Sequence, residues 1–265
     1  GTVSLSDVDL ILTGSFIPAF GDTFVIVSAT SVTGEFSSHA DGSTFNFNGR
    51  TMRIDYTATD VTLTDETPQA PVLTTSGSVM YTENDGATAI ASGVVVSDAD
   101  NATLASATVT ITNFVTGEDV LSFTNDGVTM GNIAISTNIA GVLTLTSAFS
   151  TATKAEWQAA LRSVKYANSS ENPTTTDRSV EFVISDGTLS SNTLTSTISI
   201  AGVNDAPNLV TLSPTTVSLA ENSSTVSSTT LATIAVTDVD SGTNSLSLSG
   251  PDMASFELFA NELRL

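Results

Sequence analysis

The residues best equipped for chemistry in this chain are acidic and lie far apart in sequence. Asn204 and Asp205, in Val203-Asn204-Asp205-Ala206-Pro207, offer amide and carboxylate oxygens where one repeat-like segment stops and the next begins. Downstream lies Asp238-Val239-Asp240-Ser241-Gly242-Thr243-Asn244; upstream lies Glu83, in Tyr81-Thr82-Glu83-Asn84. Oxygens of these kinds, gathered together, suit a hard cation, and calcium accepts about six to eight of them at loose geometry. The expectation is that these distant groups meet at the junction and hold Ca2+ there. For either Asp-x-Asp taken alone, ordinary turn chemistry is the alternative, because Asp bonds its own backbone in turns. Pro207 cannot continue a strand interior, so the ladder should stop near it.

Composition narrows the partners. The chain has 28 acidic residues against 7 basic ones, a net charge of −21. Little here can neutralise a phosphate backbone, which argues against nucleic acid and against an anionic membrane surface. Acids without basic partners repel one another, and bound divalent cations relieve that repulsion. At 40% hydrophobic and only 13% charged, the chain is no disordered acidic tail. There is no cysteine, so disulfides, thiolate metal sites and cysteine nucleophiles are excluded. No apolar run approaches the roughly 18 residues that span a bilayer. Gly1 and Leu265 fall inside strand-like patterns, so the expectation is a piece of something longer, its export signal and anchor lying elsewhere.

Catalysis finds little support. The single histidine, His39, sits in a Ser37-Ser38-His39-Ala40-Asp41 turn, where it is expected to be solvated. There is no nucleophile elbow, no phosphate-cradling glycine loop and no zinc spacing. The paired carboxylates lie in turns and lack the aromatic-lined cleft of a glycoside hydrolase.

The elements that must position the acidic residues read as short strands, with an all-β class expected throughout. In residues 1–64, Val8, Leu10 and Leu12 alternate with polar neighbours, and Met52-Arg53-Ile54-Asp55-Tyr56 alternates again. Phe24-Val25-Ile26-Val27 is a continuous apolar run of the kind buried on both faces. Residues 65–71 carry two prolines and form a stiff linker. Residues 72–203 hold evenly spaced strands with turn signals, the pattern of a β-sandwich. One helix interrupts them: Thr153 and Glu156 have capping-box spacing, and Trp157, Leu161 and Val164 share a face. Trp157 is expected to anchor that helix on the sandwich rather than dock a sugar. After the linker 204–207, residues 208–265 read as roughly half of a second sandwich, with strands around Ile234, Leu246-Ser247-Leu248 and Phe256-Glu257-Leu258.

Two resemblances follow from these residues. Gly21-Asp22-Thr23-Phe24, Val32-Thr33-Gly34-Glu35-Phe36, Ile54-Asp55-Tyr56 and Val61-Thr62-Leu63 resemble the C-terminal end of autotransporter-like passenger segments. That likeness implies the closing turns of a parallel β-helix, or an irregular capping β segment, over 1–64. In residues 72–265 a grammar repeats. Glu83-Asn84 and Glu221-Asn222 are followed 15 and 17 residues later by Asp98-Ala99-Asp100 and Asp238-Val239-Asp240. With the Asn204-Asp205 linker between the copies, this resembles cadherin repeats in the divergent, Ig-like form found in large bacterial surface adhesins.

The cadherin-like resemblance implies roles. Glu83 reaches calcium from the base of the first repeat, Asn204 and Asp205 from the linker, and Asp238 and Asp240 from the top of the second. Asn244 matches the backbone-carbonyl ligand. Asp98, Asp100 and Asp186 would form the top of the first repeat, facing the linker at Asp65. Glu221 would serve a junction beyond Leu265. The mid-domain Asp-x-Glu is missing from the first repeat, and the upstream linker lacks an Asn-Asp pair, so the expectation is one or two ions at Asn204 and a weak or empty upstream site. The function implied is a secreted, non-catalytic, cell-surface adhesion or spacer segment that meets copies of itself or a surface protein or glycan. The alternative is a structural subunit of an extracellular filament or layer.

Overall fold

Alternation decides the strands of residues 72–203. Ala107-Thr108-Val109-Thr110-Ile111 is apolar at every second position, and strand Ser106–Ile111 buries those three apolar side chains on one face. Strands Arg178–Ser185 and Leu194–Ala201 alternate in the same way. The structure, a computed structural model, describes residues 1–218, 229–240 and 243–265; Glu221 and Asn222 lie outside them.

The large sheet runs in the order Ile133–Ile139, Val142–Ser147, Ser106–Ile111, Arg178–Ser185, Leu194–Ala201, Ser78–Thr82. Every neighbour is antiparallel except the last pair, in which Ser78–Thr82 lies parallel to Leu194–Ala201. Two smaller sheets complete the sandwich. One joins Asp119–Ser122, Lys165–Asn168 and Thr88–Ala89; the other pairs Val72–Thr74 with Val95–Ser97. A single apolar cluster, with Val109, Leu143, Phe182 and Ile198 from the large sheet and Leu121, Tyr166 and Leu73 from the small ones, fills the space between.

The helix, Lys154–Ser163, starts where the capping box places it. Thr153 accepts the Glu156 N–H, and the Glu156 carboxylate accepts the Thr153 N–H. Trp157 is fully buried and donates Nε1–H to the Leu104 carbonyl at 2.9 Å, so it anchors the helix. Trp157→Phe keeps most of the ring but removes that donor. It is expected to lower unfolding free energy by about 1–3 kcal/mol, read from a denaturant titration followed by circular dichroism.

Residues 1–65 correct the parallel β-helix expectation. Their four-stranded sheet, ordered Thr23–Ser28, Asp60–Asp65, Arg50–Tyr56, Thr44–Phe47, is antiparallel throughout, and only Thr2–Ser4 and Ser31–Thr33 pair in parallel. One local cause is the Asn48-Gly49 turn. Both residues have positive φ (51° and 81°), the backbone of a two-residue hairpin, which forces Thr44–Phe47 and Arg50–Tyr56 antiparallel. The run Phe24-Val25-Ile26-Val27 is not buried on both faces either: Val25 is exposed. The pairing shifts between Val25 and Val27, a bulge that lets Phe24, Ile26 and Val27 all pack on one small core. His39 is half-buried rather than solvated. Its ring meets Phe45 edge-on at 4.8 Å, and Nδ1 lies 2.9 Å from the Ser37 carbonyl.

In the last segment, Leu209–Ser213, Thr230–Thr237, Glu262–Arg264 and Glu257–Phe259 form one antiparallel sheet in that order. Leu246-Ser247-Leu248 is not a strand. Leu246 and Leu248 instead line a cavity with Val210, Leu212, Ile234, Leu258 and Leu263.

Candidate metal centre

The parallel strand pair positions the first acid. Ser78–Thr82 and Leu194–Ala201 run together and end together, with Ala201 opposite Thr82. The next residue on one strand is Glu83; the next on the other leads into the linker. Glu83 N–H therefore donates to the Ala201 carbonyl at 2.8 Å, and Glu83 Oε2 accepts the Val203 N–H at 2.7 Å. The side chain is buried, 4% exposed, and Oε1 has no hydrogen-bond partner.

Asp205 and Glu171 close on Glu83. One carboxylate oxygen from each of the three lies within 4.8 Å of the others. Like charges this close repel unless a cation or proton intervenes. Asp205 also faces the following segment, since its N–H donates to Asp240 Oδ2 at 2.7 Å. The neighbouring Asp238 carboxyl, and then that N–H, hold Asp240 below the usual carboxylate range. Both oxygens of Asp238 and Oδ1 of Asp240 are buried without partners. The linker thus has a three-carboxylate cluster on one side and an Asp238–Asp240 pair on the other. The Asn204 side chain donates to the Asp205 carbonyl at 2.8 Å. Asn244 follows Ser241 and Gly242, which lie outside the described residues.

The upstream junction has the same backbone plan with different chemistry. Gln69 N–H donates to Asp100 Oδ2 at 2.9 Å, as Asp205 does to Asp240, and Ala-Pro follows in each case. Gln69 stands where Asp205 stands, and Pro68 where Asn204 stands. Asp98 Oδ1 accepts the N–H groups of Asp100 and Asn101, while Asp98 Oδ2 and Asp100 Oδ1 are buried without partners. Burial pushes the Asp98 carboxyl up, and Asp100 beside it adds to this; burial is also the largest single influence on Asp100, but the hydrogen bonds from the Gln69 N–H, Asp98 and Asn101 together outweigh it and the net shift is down. Asp186 is tied to this turn through Asn101, whose Nδ2 lies 3.3 Å from Asp186 Oδ2. Its other oxygen caps its own turn by accepting from Thr188 and Leu189. Asp65, expected to face these acids, is committed elsewhere. It is fully buried and takes Arg50 Nε–H at 2.7 Å and Nη2–H at 3.1 Å.

Sequence reasoning missed Glu171. It sits in Ser169-Ser170-Glu171-Asn172-Pro173, which reads only as a loop, and no local spacing marks it as a partner of Glu83. The sequence signal available was its charge alone, an acid in the loop before strand Arg178–Ser185.

Among the described residues, seven buried side-chain polar atoms lack a hydrogen-bond partner. Six are carboxylate oxygens of Glu83, Asp98, Asp100, Asp238 and Asp240; the seventh is Ser196 Oγ. Folded proteins leave few such atoms, so their concentration at the two junctions calls for a ligand. The donor set is all oxygen, the kind that hard cations such as calcium take.

No family model matches the chain, and no curated protein matches it. Among solved structures, it is similar to the extracellular cadherin domains 1–4 of protocadherin gamma B7, with a TM-score of 0.38 and 15% identity, over 99% of this chain and 64% of that one. It is also similar to extracellular cadherin domains 3–6 of protocadherin gamma B2, with a TM-score of 0.28 and 15% identity, over 92% of this chain and 67% of that one. The chain therefore spans less than two thirds of the first of these structures. Among the described residues no helix is long and apolar enough to cross a membrane.

Proposed function

We propose that this chain is a non-catalytic, extracellular segment of a large surface protein, serving adhesion or spacing, in which calcium stiffens the junction around Asp205. The observation that supports it most is the set of buried carboxylate oxygens without donors, four of them on Glu83, Asp238 and Asp240. Leaving a buried polar atom unsatisfied costs about 1–3 kcal/mol, and more when it is charged. Glu83, Glu171 and Asp205 would hold one ion; Asp238 and Asp240, with Asn204 and Asn244 adjoining, would supply a second set of oxygens. Bound calcium supplies the positive charge that turns repulsion into a crosslink. Extracellular modules bind it at about 10⁻⁴–10⁻³ M, so the junction would be stiff outside a cell.

The upstream junction carries its own cation. Arg50 neutralises Asp65, Thr51 accepts the Glu66 N–H at 2.8 Å, and the Thr51 N–H donates to Thr67 Oγ1 at 2.8 Å. Those bonds tie the linker to the first sheet without an ion, and Asp98, Asp100 and Asp186 would form a weaker site on its other side. Removing calcium should therefore loosen the Asp205 joint more than the upstream one. Small-angle scattering is expected to show a changed maximum dimension on adding chelator, and Asp205→Ala should show it even in calcium. Calorimetry should show calcium binding that Asp238→Ala weakens. An unchanged maximum dimension together with no heat of binding counts against the reading.

A second reading, a subunit of an extracellular filament or layer, is favoured by strand Leu209–Ser213. Among the described residues it edges its sheet, and it is exposed along its whole length. Isolated rods in electron micrographs favour the first reading; ordered fibres or sheets favour the second.

A further inference from the structure

We propose that Glu118 is the positioning residue of the junction, clamping segment 169–174 so that Glu171 enters the ion cluster and Asn172 reaches the next segment. The inference rests on reading that cluster as a calcium site. Glu118 belongs to the turn Gly117-Glu118-Asp119, far from Glu171 in sequence, and it holds both ends of the segment. At one end its carbonyl accepts the Ser169 N–H at 2.9 Å. At the other, Oε1 accepts the Thr174 hydroxyl at 2.7 Å and Oε2 accepts the Thr174 N–H at 2.9 Å. Arg178, fully buried, backs the carboxylate with Nη2–H at 3.1 Å.

Between those ties the segment is short and internally braced. Asn168 Oδ1 accepts the Ser170 N–H at 2.9 Å, Ser170 Oγ accepts the Asn172 N–H at 3.1 Å, and Pro173 is buried with its φ fixed. Two residues project from it. Glu171 joins Glu83 and Asp205. Asn172 Nδ2–H donates at 3.1 Å to the carbonyl of Val239, the residue between Asp238 and Asp240. One clamped segment therefore reaches the Glu83–Asp205 cluster on one side of the linker and the backbone between Asp238 and Asp240 on the other. An acid on a loop this exposed gains affinity only if its position is settled before the ion arrives, because ordering it on binding costs entropy. Glu118 supplies that order from inside the sandwich.

The test uses the full chain with Thr174→Val and Glu118→Gln. Valine keeps the shape and the backbone bond but loses the hydroxyl. Glutamine keeps one acceptor and loses the charge facing Arg178. Both are expected to weaken calcium binding in calorimetry by about fivefold to fiftyfold, the range set by losing one strong hydrogen bond. In chelator, Thr174→Val should melt at the parent temperature, since Thr174 is exposed, while the Thr174 amide should exchange hydrogen faster in Glu118→Gln. Parent-like affinity in both variants overturns the proposal, as does lost affinity matched by an equal fall in chelator melting temperature. If the parent itself binds no calcium, the site reading fails separately; the exchange arm still decides the clamp, and unchanged Thr174 protection in Glu118→Gln overturns it.

Discussion

Glu83→Gln is expected to melt above the parent in chelator and below it when free calcium is a hundred times Kd, about 10–100 mM. The crossing follows from the two oxygens of Glu83. Oε2 accepts the Val203 N–H, a bond that a glutamine carbonyl keeps. Oε1 is buried with no donor, and one oxygen of this carboxylate lies within 4.8 Å of oxygens of Glu171 and Asp205. Glutamine removes one of three crowded negative charges and puts an NH2 donor in place of the unpartnered oxygen. Without calcium the change should stabilise the chain by about 1–3 kcal/mol, the usual cost of an unsatisfied buried polar atom. With calcium the sign reverses, because the parent gains linkage free energy of about 2.7 kcal/mol at free ion a hundred times Kd, and the variant loses most of it. Thermal melts of both proteins in both buffers are the measurement. A variant that melts below the parent in both buffers makes Glu83 a structural cap, and the metal reading of this cluster then falls.

How much of this was legible depends on how local each cause is. Strand Ser106–Ile111 and helix Lys154–Ser163 could be read directly, because alternation and the Thr153–Glu156 capping box act over a few residues. The Asn48-Gly49 hairpin was equally local. It should have outweighed the parallel-coil expectation for residues 1–65, which rested on short motifs. The meeting of Glu83 with Asp205 was legible at one remove, as two acids at corresponding ends of adjoining repeats. Glu171 was not, because its place is set by Glu118, more than fifty residues earlier. Asp65 was misplaced for a like reason: nothing near it in sequence announces that Arg50, across a hairpin, claims its carboxylate. Val27 shows the limit for strands, since an apolar run does not reveal that a bulge will turn it onto the same face as Phe24 and Ile26 and leave Val25 alone outside.

Arg178→Met is the substitution expected to cost most, about 3–5 kcal/mol, the usual loss when one partner of a buried ion pair is removed. Arg178 and Asp119 are both fully buried at the side chain, with Arg178 Nε 2.8 Å from Asp119 Oδ2. Asp119 also accepts the Tyr166 hydroxyl at 2.7 Å and the Val115 N–H at 2.7 Å. Burial, and then the Asp119 carboxylate, push the Tyr166 phenol well above its ordinary range, so it stays a donor. Those two donors remain in the variant, but the countercharge is gone and a bare carboxylate is left in the interior. Adding Asp119→Leu to Arg178→Met should recover only part of the loss, since the bare carboxylate goes but the Tyr166 hydroxyl and the Val115 N–H lose their acceptor. Denaturant titrations of the parent, both single variants and the double one give the coupling energy. Trp157, the only tryptophan, lies in the core of the same sandwich and reports its unfolding by fluorescence. A single variant within about 1 kcal/mol of the parent would mean that apolar packing, not this pair, secures the end of the sandwich from which Glu118 holds the junction.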